Sequence, residues 1–158
     1  MSSTSTSGRA LGSVLVIGAG KVGRALYAGL RTARIDASLR QARTLLARPL
    51  PLTDLVIIAS RDGRIEEIAR LLAHGERLPR AVVHCAGALD VAPLSALSAR
   101  GVAVGSMHQC LSFPSARARV SLAGGALVVS GDRKAVALVK VLARALGMTA
   151  ICPASLDH

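Results

Sequence analysis

The chain has 158 residues, a length that suits one domain of ordinary size. Its composition is 51% hydrophobic with a single Tyr and a single Phe, so a core has to be assembled from Ala, Val, Leu and Ile. The formal charge is +11, and of the 20 basic residues only Lys21, Lys134 and Lys140 are not Arg. Such a balance attracts phosphates in general. The arginines are scattered singly, however, and the aromatic platforms used by single-strand binders are nearly absent. A solvated Arg-rich surface therefore explains the charge better than a dedicated nucleic-acid partner does.

Along the chain, residues 1–12 open with a Ser/Thr-rich stretch that reads as a flexible tail. It lacks the Lys/Arg-rich start of a secretory signal. No apolar run approaches the ~18 residues that a membrane-crossing helix needs, so a cytoplasmic, soluble protein is expected. From residue 13 to about 155 short apolar runs alternate with helix-period segments. The runs are Val14–Ile17, Leu55–Ala59, Ala81–Cys85, Val102–Gly105 and Ala126–Ser130. They are continuous rather than alternating, the pattern of strands buried on both faces of a parallel sheet.

Between them, Val22, Ala25, Leu26, Gly29 and Leu30 share one helix face, as do Ile65, Ile68, Ala69 and Leu72. Ala135, Val139, Leu142, Ala143 and Leu146 form a third such face after an N-cap at Asp132. The segment Ile35–Leu52 leaves little room for a full crossover and predicts a strand near Ile35–Leu39 and a short helix near Gln41–Ala47. The alternation predicts an α/β fold: one domain with a doubly wound, mostly parallel, Rossmann-type sheet and right-handed crossovers.

The strand Val14–Ile17 runs into Gly18-Ala19-Gly20-Lys21-Val22-Gly23 and then a helical face. In that position G-x-G-x-x-G has a mechanical meaning. Gly18 permits the sharp turn, Gly20 lets a pyrophosphate approach the backbone, and Gly23 lets the helix lie close to the strand. The helix start offers free N–H groups and a positive dipole. Placement between a strand and a helix is the context that separates this motif from a chance match. A dinucleotide site at residues 18–23 is expected, against a glycine turn kept for packing alone.

The choice of dinucleotide depends on the end of the second strand, where an NAD enzyme places an acid. Asp36 falls at the wrong end, near the start. Arg40 and Arg43 lie at or just beyond the end, where a guanidinium favours a 2′-phosphate. NADP is therefore preferred, with solvated helix-face arginines as the alternative. After Leu55–Ala59, Ser60 and Arg61 are candidates for ribose or phosphate contact. Asp62 reads better as a cap for the helix carrying Ile65 and Ile68 than as a ligand group.

Two further segments end strands: His84-Cys85-Ala86-Gly87-Ala88-Leu89 and Gly105-Ser106-Met107-His108-Gln109-Cys110. Ligands of open α/β sheets bind outside the carboxyl ends of strands, which makes His84 and His108 candidate catalytic residues near a nicotinamide. Each also has a purely local reading, a ring bonded to loop backbone and holding a turn. Cys85, Cys110 and Cys152 are odd in number, widely spaced and flanked by apolar residues, as buried reduced thiols are. No metal-ligand spacing and no G-x-S-x-G occur.

The stretches Val16–Gly23, His84–Leu89 and Gly105-Ser-Met-His-Gln-Cys-Leu-Ser-Phe-Pro114 together resemble a little-characterised family of bacterial Rossmann-like oxidoreductases. These are similar to pyrroline-5-carboxylate reductase, ketopantoate reductase and 6-phosphogluconate dehydrogenase. The resemblance covers about 13–155 and is poor at 33–53. It implies an NADP-binding domain, with a helical C-terminal domain completing the substrate pocket and making a dimer. Two departures stand out: Gln109 occupies the place of the family's Pro, and the helical domain is absent. The chain ends at Ser155-Leu156-Asp157-His158, where such a helix begins, so residues 156–158 read as its possible start. The expected function is hydride transfer to or from an unidentified small molecule. The alternative is a stand-alone nucleotide-binding or sensing module, and a homo-oligomer or a partner helical domain fits either.

Overall fold

A computed structural model describes residues 11–87, 89–110 and 122–153. The chain runs β1 (Ser13–Ile17), α1 (Lys21–Thr32), β2 (Asp36–Arg40), β3 (Leu55–Ile58), α2 (Ile65–Ala73), β4 (Ala81–His84), α3 (Ser95–Ser98), β5 (Ala103–Gln109), β6 (Ala126–Gly131), α4 (Arg133–Ala145) and β7 (Thr149–Ile151). The strands form one seven-stranded sheet in the order β2-β1-β3-β4-β5-β6-β7. All neighbours are parallel except β5 and β6, which are antiparallel. This is the doubly wound, mostly parallel α/β architecture the sequence predicts.

The central strands explain their own composition. Every residue of β3 and β4 is buried, and so are Val14 to Ile17 of β1. Side chains on alternate positions feed two cores. On one face, Val14, Val16, Leu55, Ile57, Ala81 and Val83 pack beneath α1 and α4. On the other, Leu15, Ile17, Val56, Ile58 and Val82 pack beneath α2 and α3. Leu26 and Leu30, a turn apart on α1, are fully enclosed. Burial of a side chain of this size contributes about 2 kcal/mol, which anchors the helix that follows the glycine turn.

Several elements depart from the sequence-based expectation. The second strand begins one residue later and ends on Arg40. The short helix expected at Gln41–Ala47 contracts to a single 3-10 turn, Ala42–Thr44. β5 extends four residues past Gly105, because β6 folds back beside it and supplies an antiparallel edge as far as Gln109. That reversal replaces the right-handed crossover expected at this point. α3 and β7 have no counterpart in the sequence-based reading.

The caps differ as well. Asp62 lies inside a 3-10 turn, Asp62–Arg64, and makes no side-chain capping bond, so its expected role is corrected. Asp132 occupies the N-cap position of α4, but its carboxylate accepts from the Val104 amide at 2.9 Å and ties the helix start to β5. Cys110 and Cys152 are exposed rather than buried, and Cys85 is partly buried. The Ser/Thr tail through Ala10 and residues 154–158 lie outside the described residues, while Leu11 is already buried. No helix among the described residues is long and apolar enough to cross a membrane.

Candidate functional site

The carboxyl ends of β1, β3, β4 and β5 converge on one edge of the sheet, and the singled-out residues lie along it. Gly18 leaves β1 with φ +119, a left-handed conformation that L side chains rarely adopt. A Cβ there would also stand 2.5 Å from the Ala59 carbonyl oxygen and 3.0 Å from the Ser60 nitrogen. The turn is thus pressed against the exit of β3. Its amide donates to the Arg40 carbonyl oxygen at 2.8 Å, which ties it to the end of β2. At Gly23 a Cβ would collide with the Gly18 carbonyl oxygen, so the close approach of α1 to the turn requires glycine.

Gly20 is different. It is the N-cap of α1 with φ −78, a value open to any residue, and a Cβ there would meet nothing within 4 Å. Neither backbone nor packing asks for glycine at this position. What the absent side chain leaves open is approach to the helix start from solvent. There the amides of Lys21 and Val22 have no acceptor among the described residues, as expected of the first turn of a helix.

The electrostatics point the same way. The first turn of α1 holds no acid, and Lys21 and Arg24 place two cations at the positive end of the helix dipole. For the bare helix this is unfavourable; with an anion at the turn it is complementary. Arg24 Nε donates to the Ala19 carbonyl oxygen at 2.6 Å and braces the loop from within. The sequence-based reading missed this residue. Its signal was a long donor placed directly after the third glycine.

Arg40 ends β2, and its guanidinium donates to the Pro49 carbonyl oxygen at 3.0 Å. Arg43 is exposed on the following 3-10 turn, Ala42–Thr44. Asp36 lies at the opposite end of β2 from the glycine turn, paired with Ser13. Ser60 is half-buried, its hydroxyl 3.5 Å from the Arg61 carbonyl oxygen, and Arg61 is exposed.

The two histidines occupy contrasting positions. His84 is wholly buried. Its Nδ1 accepts from the Ala86 amide at 3.1 Å, which leaves Nε2 to carry the proton and donate to the Asp90 carbonyl oxygen at 2.6 Å. Both ring nitrogens are thereby engaged with the loop that leaves β4. His108 is exposed near the end of β5, beyond the last residue paired with β4. Its ring lies against Gly87, where a Cβ would stand 2.5 Å from Nδ1 and 2.8 Å from Cε1. The exits of β4 and β5 are therefore in direct contact.

Beneath them, Gln109 Nε2 donates to Cys85 Sγ at 3.4 Å. Burial pushes the Cys85 thiol up to about 12 from its ordinary 9.0, and the Gln109 hydrogen bond opposes part of that rise. No group of three metal-ligating side chains occurs among the described residues.

No family model matches the chain, and no curated protein does. Solved structures do. One is a Bacteroides fragilis protein described as an NADP oxidoreductase, 19% identical with a TM-score of 0.72 over 89% of this chain and 60% of its own. Prephenate dehydrogenase of Aquifex aeolicus, solved with NAD+ and hydroxyphenyl propionate, is 16% identical with a TM-score of 0.66 over 89% and 59%. A reductive aminase of Aspergillus terreus, solved with NADPH and ethyl-5-oxohexanoate, is 14% identical with a TM-score of 0.62 over 89% and 54%. The chain spans little more than half the length of these proteins. At such identities the likeness concerns the fold: the chain has the Rossmann-like α/β fold found in NAD(P)-dependent dehydrogenases and reductases.

Proposed function

We propose that the chain is the NADP-binding domain of an oxidoreductase that transfers hydride to or from a small molecule. The observation that carries the reading is Gly20, a glycine that neither backbone angle nor packing explains, at the cationic start of α1. The fold neighbours include proteins solved with NAD+ and with NADPH, which supports a nicotinamide dinucleotide without choosing between the two. Because the chain spans only part of their length, turnover by a complete enzyme belongs to the proposal.

In this reading the pyrophosphate is held by the start of α1 over Gly18, Ala19 and Gly20, with the amides of Lys21 and Val22 and the Lys21 ammonium as donors. Gly23 keeps the helix close enough for those donors to converge. Arg40 and Arg43 take the 2′-phosphate, with Arg40 exchanging its neutral Pro49 acceptor for a charged one. Ser60 and Arg61, at the exit of β3, serve the ribose side. His108 stands at the nicotinamide edge with an exposed ring suited to orienting a carbonyl or imine and holding a proton. His84 is a positioning residue that fixes the loop carrying Gly87, against which His108 rests. The bound cofactor supplies the hydride chemistry.

The test is calorimetric titration of the full chain with NADPH and with NADH. Binding of NADPH at least tenfold tighter than NADH is expected. Equal affinities would remove the role given to Arg40 and Arg43, and a lack of binding by both would remove the dinucleotide site.

A further inference from the structure

The connection between β2 and β3 has more to it than a link. Over residues 41–52 it forms one 3-10 turn, continues through a turn and a bend over 45–48, and then runs as an irregular strap that packs Leu45 and Leu50 onto the α2 face of the sheet. Beneath the strap lies a cavity of about 600 Å³. It is lined by Leu15 of β1, Val56 of β3, Leu71 and Leu72 of α2, and Leu50 of the strap. Thr53 and Pro79, which precede β3 and β4, also line it. Thr53, Val56 and Pro79 thus place part of the cavity toward the amino-terminal ends of β3 and β4, while Pro49 is held by the Arg40 guanidinium at the end of β2.

Three observations describe what fits there. The volume falls within the roughly 300–1,000 Å³ typical of small-molecule sites. The interior is aliphatic, and Leu46 and Leu52 at its border are each 61% exposed, the two most exposed large hydrophobic residues among those described. Arg48, Arg77 and Glu76 are the charged residues of the lining, an excess of one positive charge. Neither arginine makes an ion pair or side-chain hydrogen bond among the described residues, whereas nearby Arg64 and Arg70 are paired with Glu67 and Glu66. An aliphatic chamber with two unspent guanidinium groups complements a molecule with an apolar body and one anionic end. It does not complement a nucleotide, because the chamber lacks a helix N-terminus and any aromatic platform.

We propose that this cavity is a second ligand site, for a free amphipathic carboxylate of medium chain length. Its carboxylate pairs with Arg48 and Arg77, and its apolar body lies on Leu15, Val56 and Leu72. The site is distinct from the proposed dinucleotide site but touches it at Pro49, a lining residue whose carbonyl oxygen accepts from the Arg40 guanidinium.

The probe is 1-anilinonaphthalene-8-sulfonate, titrated by fluorescence into the full chain, challenged with NADPH and then displaced with decanoate. The expected result is saturable binding at one site per chain, displaced by decanoate at least tenfold more effectively than by decanol. Arg48→Gln with Arg77→Gln should weaken decanoate at least tenfold. Ala47→Trp, at an exposed lining position, should block the probe while circular dichroism stays native. The site is overturned if binding is not saturable, if NADPH displaces the probe, if decanol equals decanoate, or if both variants bind as wild type does. Cosedimentation with phosphatidylglycerol vesicles, lost in the double Arg variant, would place the anion on a membrane surface and also overturn it.

Discussion

The carbonyl oxygen of Arg40 accepts the Gly18 amide at 2.8 Å, so the last residue of β2 and the first glycine of the turn are held as one unit. The same residue reaches away through its guanidinium to Pro49 at 3.0 Å. The backbone bond serves the turn whatever side chain is present, and only the side chain is free to read the dinucleotide. Arg40→Ala together with Arg43→Ala should therefore leave the fold intact, with a stability loss of about 1 kcal/mol from one exposed hydrogen bond. NADPH affinity should fall at least tenfold and NADH affinity by less than threefold. Calorimetry with both nucleotides checks this, and equal losses would contradict the assignment.

The three glycines of the motif should separate by their readouts. Gly23→Ala drives a methyl group into the Gly18 carbonyl, and overpacking of this kind costs about 1–3 kcal/mol. Gly20→Ala meets no protein atom and should cost only the N-cap preference for glycine over alanine, no more than about 1 kcal/mol. Denaturant unfolding of the two variants checks the contrast. A Gly20→Ala loss as large as that of Gly23→Ala would mean that Gly20 serves packing after all.

The two histidines should separate as well. His84→Ala removes a buried ring and leaves the Ala86 amide and the Asp90 carbonyl without their partner, so a loss of about 2–4 kcal/mol is expected. His108→Ala is exposed and should stay within about 0.5 kcal/mol of wild type. Thermal unfolding distinguishes them, and a larger loss for His108→Ala would contradict the positions assigned to both.

The thiols offer a pH-dependent check. Cys110 and Cys152 are exposed and should react with a disulfide reagent at pH 8, whereas Cys85 should react only on unfolding. The folded chain holds the Cys85 proton more tightly, with a pKa of about 12 against 9.0. Above pH 9 the unfolded chain binds fewer protons than the folded one, so stability falls as pH rises. The contribution of Cys85 is fully present below pH 9 and lost toward pH 12. Cys85→Ala should flatten that alkaline decline, and an unchanged decline would exclude Cys85 as its source.

What could be read from the sequence was what repeats with a period. Val14–Ile17, Leu55–Ala59 and Ala81–Cys85 are continuous apolar runs, and the faces of α1, α2 and α4 recur at helical spacing, so the layered sheet followed. The glycine motif could be placed because a strand preceded it and a helix followed. The second half of β5 could not, since in Gly105-Ser106-Met107-His108-Gln109 only Met107 is strongly apolar. It is a strand because β6 returns beside it. β7 is only three residues long and depends on its pairing with β6. His84 at the end of an apolar run reads the same whether its ring faces solvent or loop backbone, and only the positions of Ala86 and Asp90 decide. The arginine excess gave no hint that Arg48 and Arg77 border one cavity, because the loop that brings them together has no regular pattern.

The central claim is that the start of α1 binds the pyrophosphate of a dinucleotide, and it is tested most directly by titrating NADPH into the wild-type chain and into Gly20→Asp, with circular dichroism of both. The aspartate has room to be accommodated but places a carboxylate where the phosphates belong. Saturable binding to wild type, with at least a hundredfold loss in a natively folded Gly20→Asp, is the predicted result. Equal affinity of the two proteins would contradict the claim.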